Sequence, residues 1–115
     1  MENKPRGIIA ISRSSDFAAL KVEGRKVNLC KWAFLVLRKN STSQIRLGIS
    51  VSRKVGGAVI RNRLKRWIRA YFREFAKYHL NDGFDVHVIF RPQKQGFFEE
   101  LKYDEFHRQF SRFRV

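Results

Sequence analysis

From Ala58 to Tyr78 apolar residues recur every third or fourth position, and the pattern stops at Asn81-Asp82-Gly83. That period predicts a long amphipathic helix starting near Ala58 and ending between Tyr78 and Asn81. Stepped at about 100° per residue, Ile60, Leu64, Trp67, Ile68, Tyr71, Phe72 and Phe75 share one arc, the face that meets a core. Upstream, Ser14 or Ser15 before "DFAALK" reads as the cap of a short helix that Gly24 ends. "VNLCKWAFLVL", residues 27 to 37, is rich in strand formers, and "IRLGISVS", residues 45 to 52, is expected to pair with it as a hairpin across "RKNSTSQ". "FDVHVIF" reads as a further strand. After Pro92 and Gly96, the spacing of Phe98, Leu101, Phe106, Phe110 and Phe113 predicts a final amphipathic helix. The order helix-strand-strand-helix-strand-helix places the chain in the α+β class around a central sheet.

At 115 residues the length suits a single domain covering the chain, with its folded part from about 12 to 113 and residues 1 to 12 as a loose arm. Charge then changes the picture. A formal net charge of +15 exceeds what solubility requires and points to a polyanionic partner. No apolar run approaches the ~20 residues that span a bilayer, and "GIIAIS" is too short for a signal-peptide core. A cytoplasmic protein without membrane contact is expected. An aromatic content of 14% argues for an ordered core rather than a basic disordered tail. The single Cys30 can form neither an intramolecular disulfide nor a cysteine metal cluster.

The basic residues are concentrated. Arg61, Lys65, Arg66, Arg69, Arg73 and Lys77 occupy the arc of the long helix opposite its apolar face, with Asn62 among them, while Arg63 and Glu74 lie elsewhere. A solvated face ordinarily interleaves acids at i,i+4. Here Arg61, Lys65, Arg69 and Arg73 follow one another at that spacing with none, so the helix repels itself by a few tenths of a kcal/mol per pair until an anion neutralises it. Before the helix, Ser50, Ser52, Arg53, Lys54, Gly56 and Gly57 combine hydroxyls, cations and backbone amides beside a helix N-terminus, an arrangement that favours phosphate. The spacing is not that of a P-loop, which excludes nucleotide hydrolysis of that kind. A bare turn is the plainer reading of the two glycines.

The stretch "RLGISVSRKVGGAVIRNRLKRWIRAYFRE", centred on Arg61-Asn62-Arg63, resembles the signature of the bacterial ribonuclease P protein subunit. Weaker likeness runs through "DFAALKVEGRK" and "FDVHVIFRP", together spanning roughly residues 13 to 92. The resemblance implies an α/β sandwich with a left-handed crossover between parallel strands, against the usual hand of such connections. It also implies that the protein assists a catalytic RNA in endonucleolytic removal of the 5′ leader of precursor tRNA. Magnesium would then be held mainly by the RNA and none by the protein alone, with no obligate protein partner. Arg53, Lys54, Arg61, Asn62, Arg63, Lys65, Arg66 and Arg69 match positions that contact the catalytic RNA, and arginine forks suit phosphate oxygens.

By the same resemblance the single-stranded leader lies in a cleft between the first helix and the sheet, where Phe17 matches an aromatic. Lys21 stands where many members carry a second aromatic, which exchanges a stacking partner for a phosphate contact. Trp32 and Phe34, two apart in one expected strand, would share a face and complete the cleft, although strand aromatics more often belong to a core. Gly57 replaces an asparagine common in the family. His79, His87 and His107 are widely separated, and Asp82 and Asp85 flank a turn. Neither set has the spacing of a metal or acid/base site, so no catalytic residue is expected in the protein itself. A structural RNA-binding protein of ribosomal type is the alternative that the composition equally allows.

Overall fold

The computed structural model describes residues 7–79, 81 and 83–114. Five strands, β1 (Ile9–Ala10), β2 (Arg25–Cys30), β3 (Ala33–Lys39), β4 (Ile45–Ser50) and β5 (Phe84–Phe90), form one sheet in the order β1-β4-β5-β3-β2. Helices α1 (Ser14–Glu23), α2 (Ala58–Lys77), α3 (Phe97–Glu100) and α4 (Tyr103–Phe110) complete an α+β architecture.

Alternation along the strands sorts the two faces of the sheet. Leu35 and Leu37 of β3, Ile45 and Leu47 of β4, and Phe84, Val86 and Val88 of β5 are buried on one side. Leu64, Ile68, Phe72 and Ala76 of α2 and Phe106 and Phe110 of α4 belong to the same core. α2 starts at Ala58 as expected and ends at Lys77, one residue short of the expected range, and its buried stripe follows the apolar period. On the other face α1 crosses β3 and β5.

Several expectations need correction. The hairpin between the second and third long strands does not form, because β5 inserts between β3 and β4, antiparallel to the former and parallel to the latter. The physical reason is burial: five of the seven residues of β5 are buried, the most of any strand, and pairing along both edges satisfies its backbone groups there. The 40–44 connection instead straps over the start of β5. The Asn40 N–H donates to the Gly83 carbonyl at 3.2 Å, and a Cβ on Gly83 would lie 1.7 Å from the Thr42 carbonyl oxygen, so only glycine fits. The hairpin that does form joins β2 to β3 through a turn at Lys31-Trp32, so the expected single strand over 27 to 37 is two.

The loose arm is the third correction where residues 9 to 11 are concerned. Ile9 and Ala10 pair in parallel with Arg46 and Leu47, the Ile11 N–H donates to the Leu47 carbonyl at 2.8 Å, and Ile11 is buried. Free edge hydrogen-bonding groups on β4 supply the reason. Residues 1 to 6 of that expected arm lie outside the described residues. Last, the C-terminal amphipathic segment is two helices, broken where Leu101 turns extended at ψ 122°. Leu101 and Phe106 would stand about 140° apart on a continuous helix, and the break lets both reach the core. At α1, the cap position is Arg13, with Ser14 the first helical residue.

Candidate nucleic-acid interface

Arg53 and Lys54 are exposed on the loop before α2, whose conformation is pinned by buried Val55 and its N–H to the Ser52 carbonyl at 3.0 Å. The loop enters α2 at Gly57, which offers no capping side chain, and no acid stands in the first helical turn. The first-turn amides are therefore left without a side-chain acceptor, and with the helix dipole they favour an anion at this end. Arg61 is oriented by its Nε, which donates to the Gly56 carbonyl at 3.1 Å and ties the helix face to the loop. Asn62, Arg66, Arg69 and Arg73 are exposed, and Lys65 is half-buried. An ion pair within α2, Lys77 with Glu74 at 3.1 Å, lies at its far end. Loop and helix thus bring together seven of the eight expected RNA-contacting residues as one cationic strip.

Arg63 is the eighth, and it points elsewhere. Its guanidinium donates to the Phe98 carbonyl and lies 4.9 Å from the Trp67 ring centroid. At that position on the helix Arg63 faces α3, and it clamps α3 to α2 through a backbone acceptor and a cation–π contact.

On the other face of the sheet, α1 and strands β2, β3 and β5 enclose a cleft of about 450 Å³. Phe17 and Lys21 line it from α1, Lys26 from β2, Phe34 from β3, and His87 and Ile89 from β5. Phe17 fits because β4 carries glycine beneath it: a Cβ on Gly48 would lie 2.3 Å from the ring. The ring meets His87 edge-on, with centroids 4.7 Å apart. Phe34 carries two cations, Lys26 Nζ at 4.5 Å and Arg91 Cζ at 4.6 Å from its centroid. Arg91 is held there by Asn28 Oδ1 at 2.7 Å and the Cys30 carbonyl at 3.3 Å. Phe17 also borders a hollow of about 270 Å³ beside β1, lined by Lys65, Arg69 and Arg73 of α2. The cleft and the cationic strip therefore adjoin at Phe17.

Trp32 is not in this cleft. It sits in the β2–β3 turn, outside the alternation that would have placed it with Phe34, and only 4% of it is exposed. Its ring packs against Phe90, Phe97, Phe98, Phe106 and Phe110 on the α4 side. Trp32 is the centre of the aromatic core, which corrects its expected place beside the leader.

The floor of the α1 face is anchored by Asp85, which has no exposed surface. It accepts from Arg38 at 2.8 Å, Asn40 at 2.9 Å and Arg46 at 3.4 Å, and Arg46 also reaches Asp16 of α1 at 2.9 Å. Hydrogen bonds to Asp85 and Glu23 raise the Arg38 pKa further above its ordinary value. This network fixes α1 over β5, and with it the mouth of the cleft. Burial pushes the Cys30 thiol up, away from thiolate reactivity, and pushes the His87 imidazole down. His79 stacks on Phe75 at 3.9 Å and His107 lies near Tyr71, the two bordering one hollow, while His87 lies apart from them in the α1 cleft. Lys26, Gly48, His87 and Arg91 were not singled out for the cleft from sequence. A signal existed for two of them, since Gly48 and His87 break the apolar runs of their strands on the outward-facing register.

A family model described as Ribonuclease P matches residues 9–114. The chain is 37% identical over 98 residues to the ribonuclease P protein component of Dictyoglomus thermophilum, covering 85% of this chain and 76% of that one. Among solved structures it is similar to the RNase P protein from Thermotoga maritima in complex with 1-(4-fluorophenyl)-2-thiourea, at 35% identity and a TM-score of 0.75 over 84% of this chain and 89% of that one. The Staphylococcus aureus RNase P protein superposes with a TM-score of 0.77 at 28% identity, over 90% of this chain and 89% of that one.

Proposed function

We propose, from the premise that the chain belongs to the bacterial ribonuclease P protein family, that two adjoining surfaces divide its work in tRNA 5′ maturation. Membership makes it the RNA-binding protein component of a tRNA-processing endoribonuclease, and the ribosomal alternative falls away. The cationic strip formed by Arg53, Lys54, Arg61, Asn62, Lys65, Arg66 and Arg69 binds phosphates of the ribonuclease P RNA. The α1 cleft takes the single-stranded 5′ leader of precursor tRNA. There Phe17 stacks on an unpaired base, while Lys21, Lys26 and Arg91 meet its phosphates. Arg63 contributes by holding α2 against α3, and Trp32 by holding the core. A cytoplasmic setting belongs to the same reading. Among the described residues no helix is long and apolar enough to cross a membrane.

The observation that carries this reading is the meeting of the two surfaces at Phe17, which lines both the cleft and the hollow beside Arg69. A leader leaving the cleft would run onto the basic helix with its phosphates neutralised along the way. Hydrolysis itself is assigned to the RNA, with its magnesium. Lysines and arginines do not fit a divalent cation, since they supply donors and positive charge where a metal needs anionic or neutral oxygen and nitrogen ligands.

Reconstitution with the cognate catalytic RNA tests the division. Substrate affinity is measured as the leader is lengthened from none to several nucleotides, for the native protein and Phe17→Ala. The native holoenzyme gains affinity with leader length and the variant gains markedly less, while both bind mature tRNA equally. An equal loss at every leader length, or a large drop in melting temperature, would make Phe17 structural and remove the cleft from the substrate path.

A further inference from the structure

The cleft presents an uneven choice of hydrogen-bonding groups. Its volume of about 450 Å³ is within the range of small-molecule pockets, and its walls are largely aromatic and aliphatic. Of the side chains lining it, Lys21, Lys26 and His87 carry nitrogen. An ammonium group only donates. A neutral imidazole can also accept, so His87 is the one lining side chain able to receive a hydrogen bond from a base.

The ring is also held in place. His87 Nε2 lies 2.6 Å from Ser50 Oγ across the parallel β4–β5 pair, the edge-on contact with Phe17 closes one side, and Val36 is its neighbour across β3. With Nε2 engaged by Ser50, Nδ1 is the ring's remaining polar atom. When Nε2–H donates to the hydroxyl, Nδ1 is an acceptor.

We infer that His87 is a specificity-determining residue of the leader cleft, the acceptor that favours a base presenting a 6- or 4-amino group, adenine or cytosine, over guanine and uracil, which present a carbonyl oxygen at that place, at the position beside Phe17. The lysines already serve bases that present carbonyl oxygens, so discrimination falls to the acceptor. The inference rests on the leader reading above and adds to it a residue and a base class.

Protonation should abolish the preference, because an imidazolium has two N–H donors and no acceptor. The surroundings keep the ring neutral near pH 7. Burial lowers its pKa, and Lys21 from α1 and Lys26 from β2 stand at the same cleft with positive charge. The acids one row along are committed to arginines: Asp85 of β5 to Arg38 of β3 and Arg46 of β4, and Asp16 of α1 to Arg46. The folded-state pKa thus lies below the ordinary imidazole value, and the preference is complete above that value and is lost as pH falls through the folded one.

The test uses the reconstituted holoenzyme and precursor tRNAs in which each leader position is varied through A, C, G and U. Affinity is read under conditions that block cleavage, from pH 8 to pH 5.5. The native protein should prefer A or C over G or U by roughly fivefold at one position, the size that one neutral hydrogen bond supports, and the preference should fade toward pH 5.5. His87→Leu should lack it throughout. His87→Gln, which keeps an acceptor oxygen but does not titrate, should retain it without pH dependence, and this variant decides the matter should the leucine variant melt early. A preference surviving in His87→Leu, or none at any leader position in the native protein, overturns the inference. Affinity that ignores leader length altogether instead sinks the leader reading beneath it.

Discussion

Replacing Lys65, Arg66 and Arg69 together with alanine should weaken binding of the catalytic RNA and flatten its salt dependence, without loss of fold. Arg66 and Arg69 are exposed and Lys65 is half-buried. Each phosphate neutralised contributes about 0.7 to 0.9 to the slope of log affinity against log salt, so three lost contacts reduce the slope by about 2 to 3. Between 50 and 200 mM salt, a fourfold rise, the native protein should therefore lose roughly 20- to 40-fold more affinity than the variant. Stability should move the other way. The substitutions remove the like-charge neighbours Arg61–Lys65, Lys65–Arg69 and Arg69–Arg73 at i,i+4 and install the best helix former, so the melting temperature should equal or exceed that of the native protein. Titration of labelled catalytic RNA at several salt concentrations, with a thermal melt of each protein, reads both quantities. An unchanged slope would show that α2 acts at a distance through its field rather than by contact, and a lowered melting temperature would show that the face has a structural role.

Two further outcomes follow from the corrected placements. Trp32→Ala should cost about 3 to 5 kcal/mol of stability, because it empties the centre of the aromatic core; chemical denaturation checks this, and a leader-specific affinity loss with an unchanged midpoint would return Trp32 to the cleft. Asp85→Ala should cost about 3 kcal/mol, the low end for breaking a buried ion pair, since Arg38 and Arg46 keep some access to water. Denaturation again measures it, and a cost below about 1 kcal/mol, the range of a surface pair, would show that the network does not hold α1 on the sheet.

Much of this molecule was legible along the chain because the relevant physics is local. The two faces of α2 follow from a 3.6-residue period over twenty positions, so the buried stripe and the basic strip were both readable, as was the motif that named the family. The break between α3 and α4 was also in reach, since the phase of Leu101 against Phe106 disagrees with one continuous helix. What sequence could not supply were the pairings and the side-chain destinations that depend on them. A strand's alternation records which residues share a face, but not which strand lies alongside, so "FDVHVIF" gave no sign that β5 would separate β3 from β4. Trp32 escaped the alternation by standing in a turn, where two-residue periodicity does not operate. Arg63 and Lys65, both cations of one helix, were separated by what tertiary packing set against each: the Phe98 carbonyl and Trp67 for the first, the hollow beside Phe17 for the second. The cleft itself draws on α1, β2, β3 and β5, with Gly48 of β4 beneath. No local pattern encodes their meeting, because it exists only once the sheet order has placed its most fully buried strand, β5, between β3 and β4.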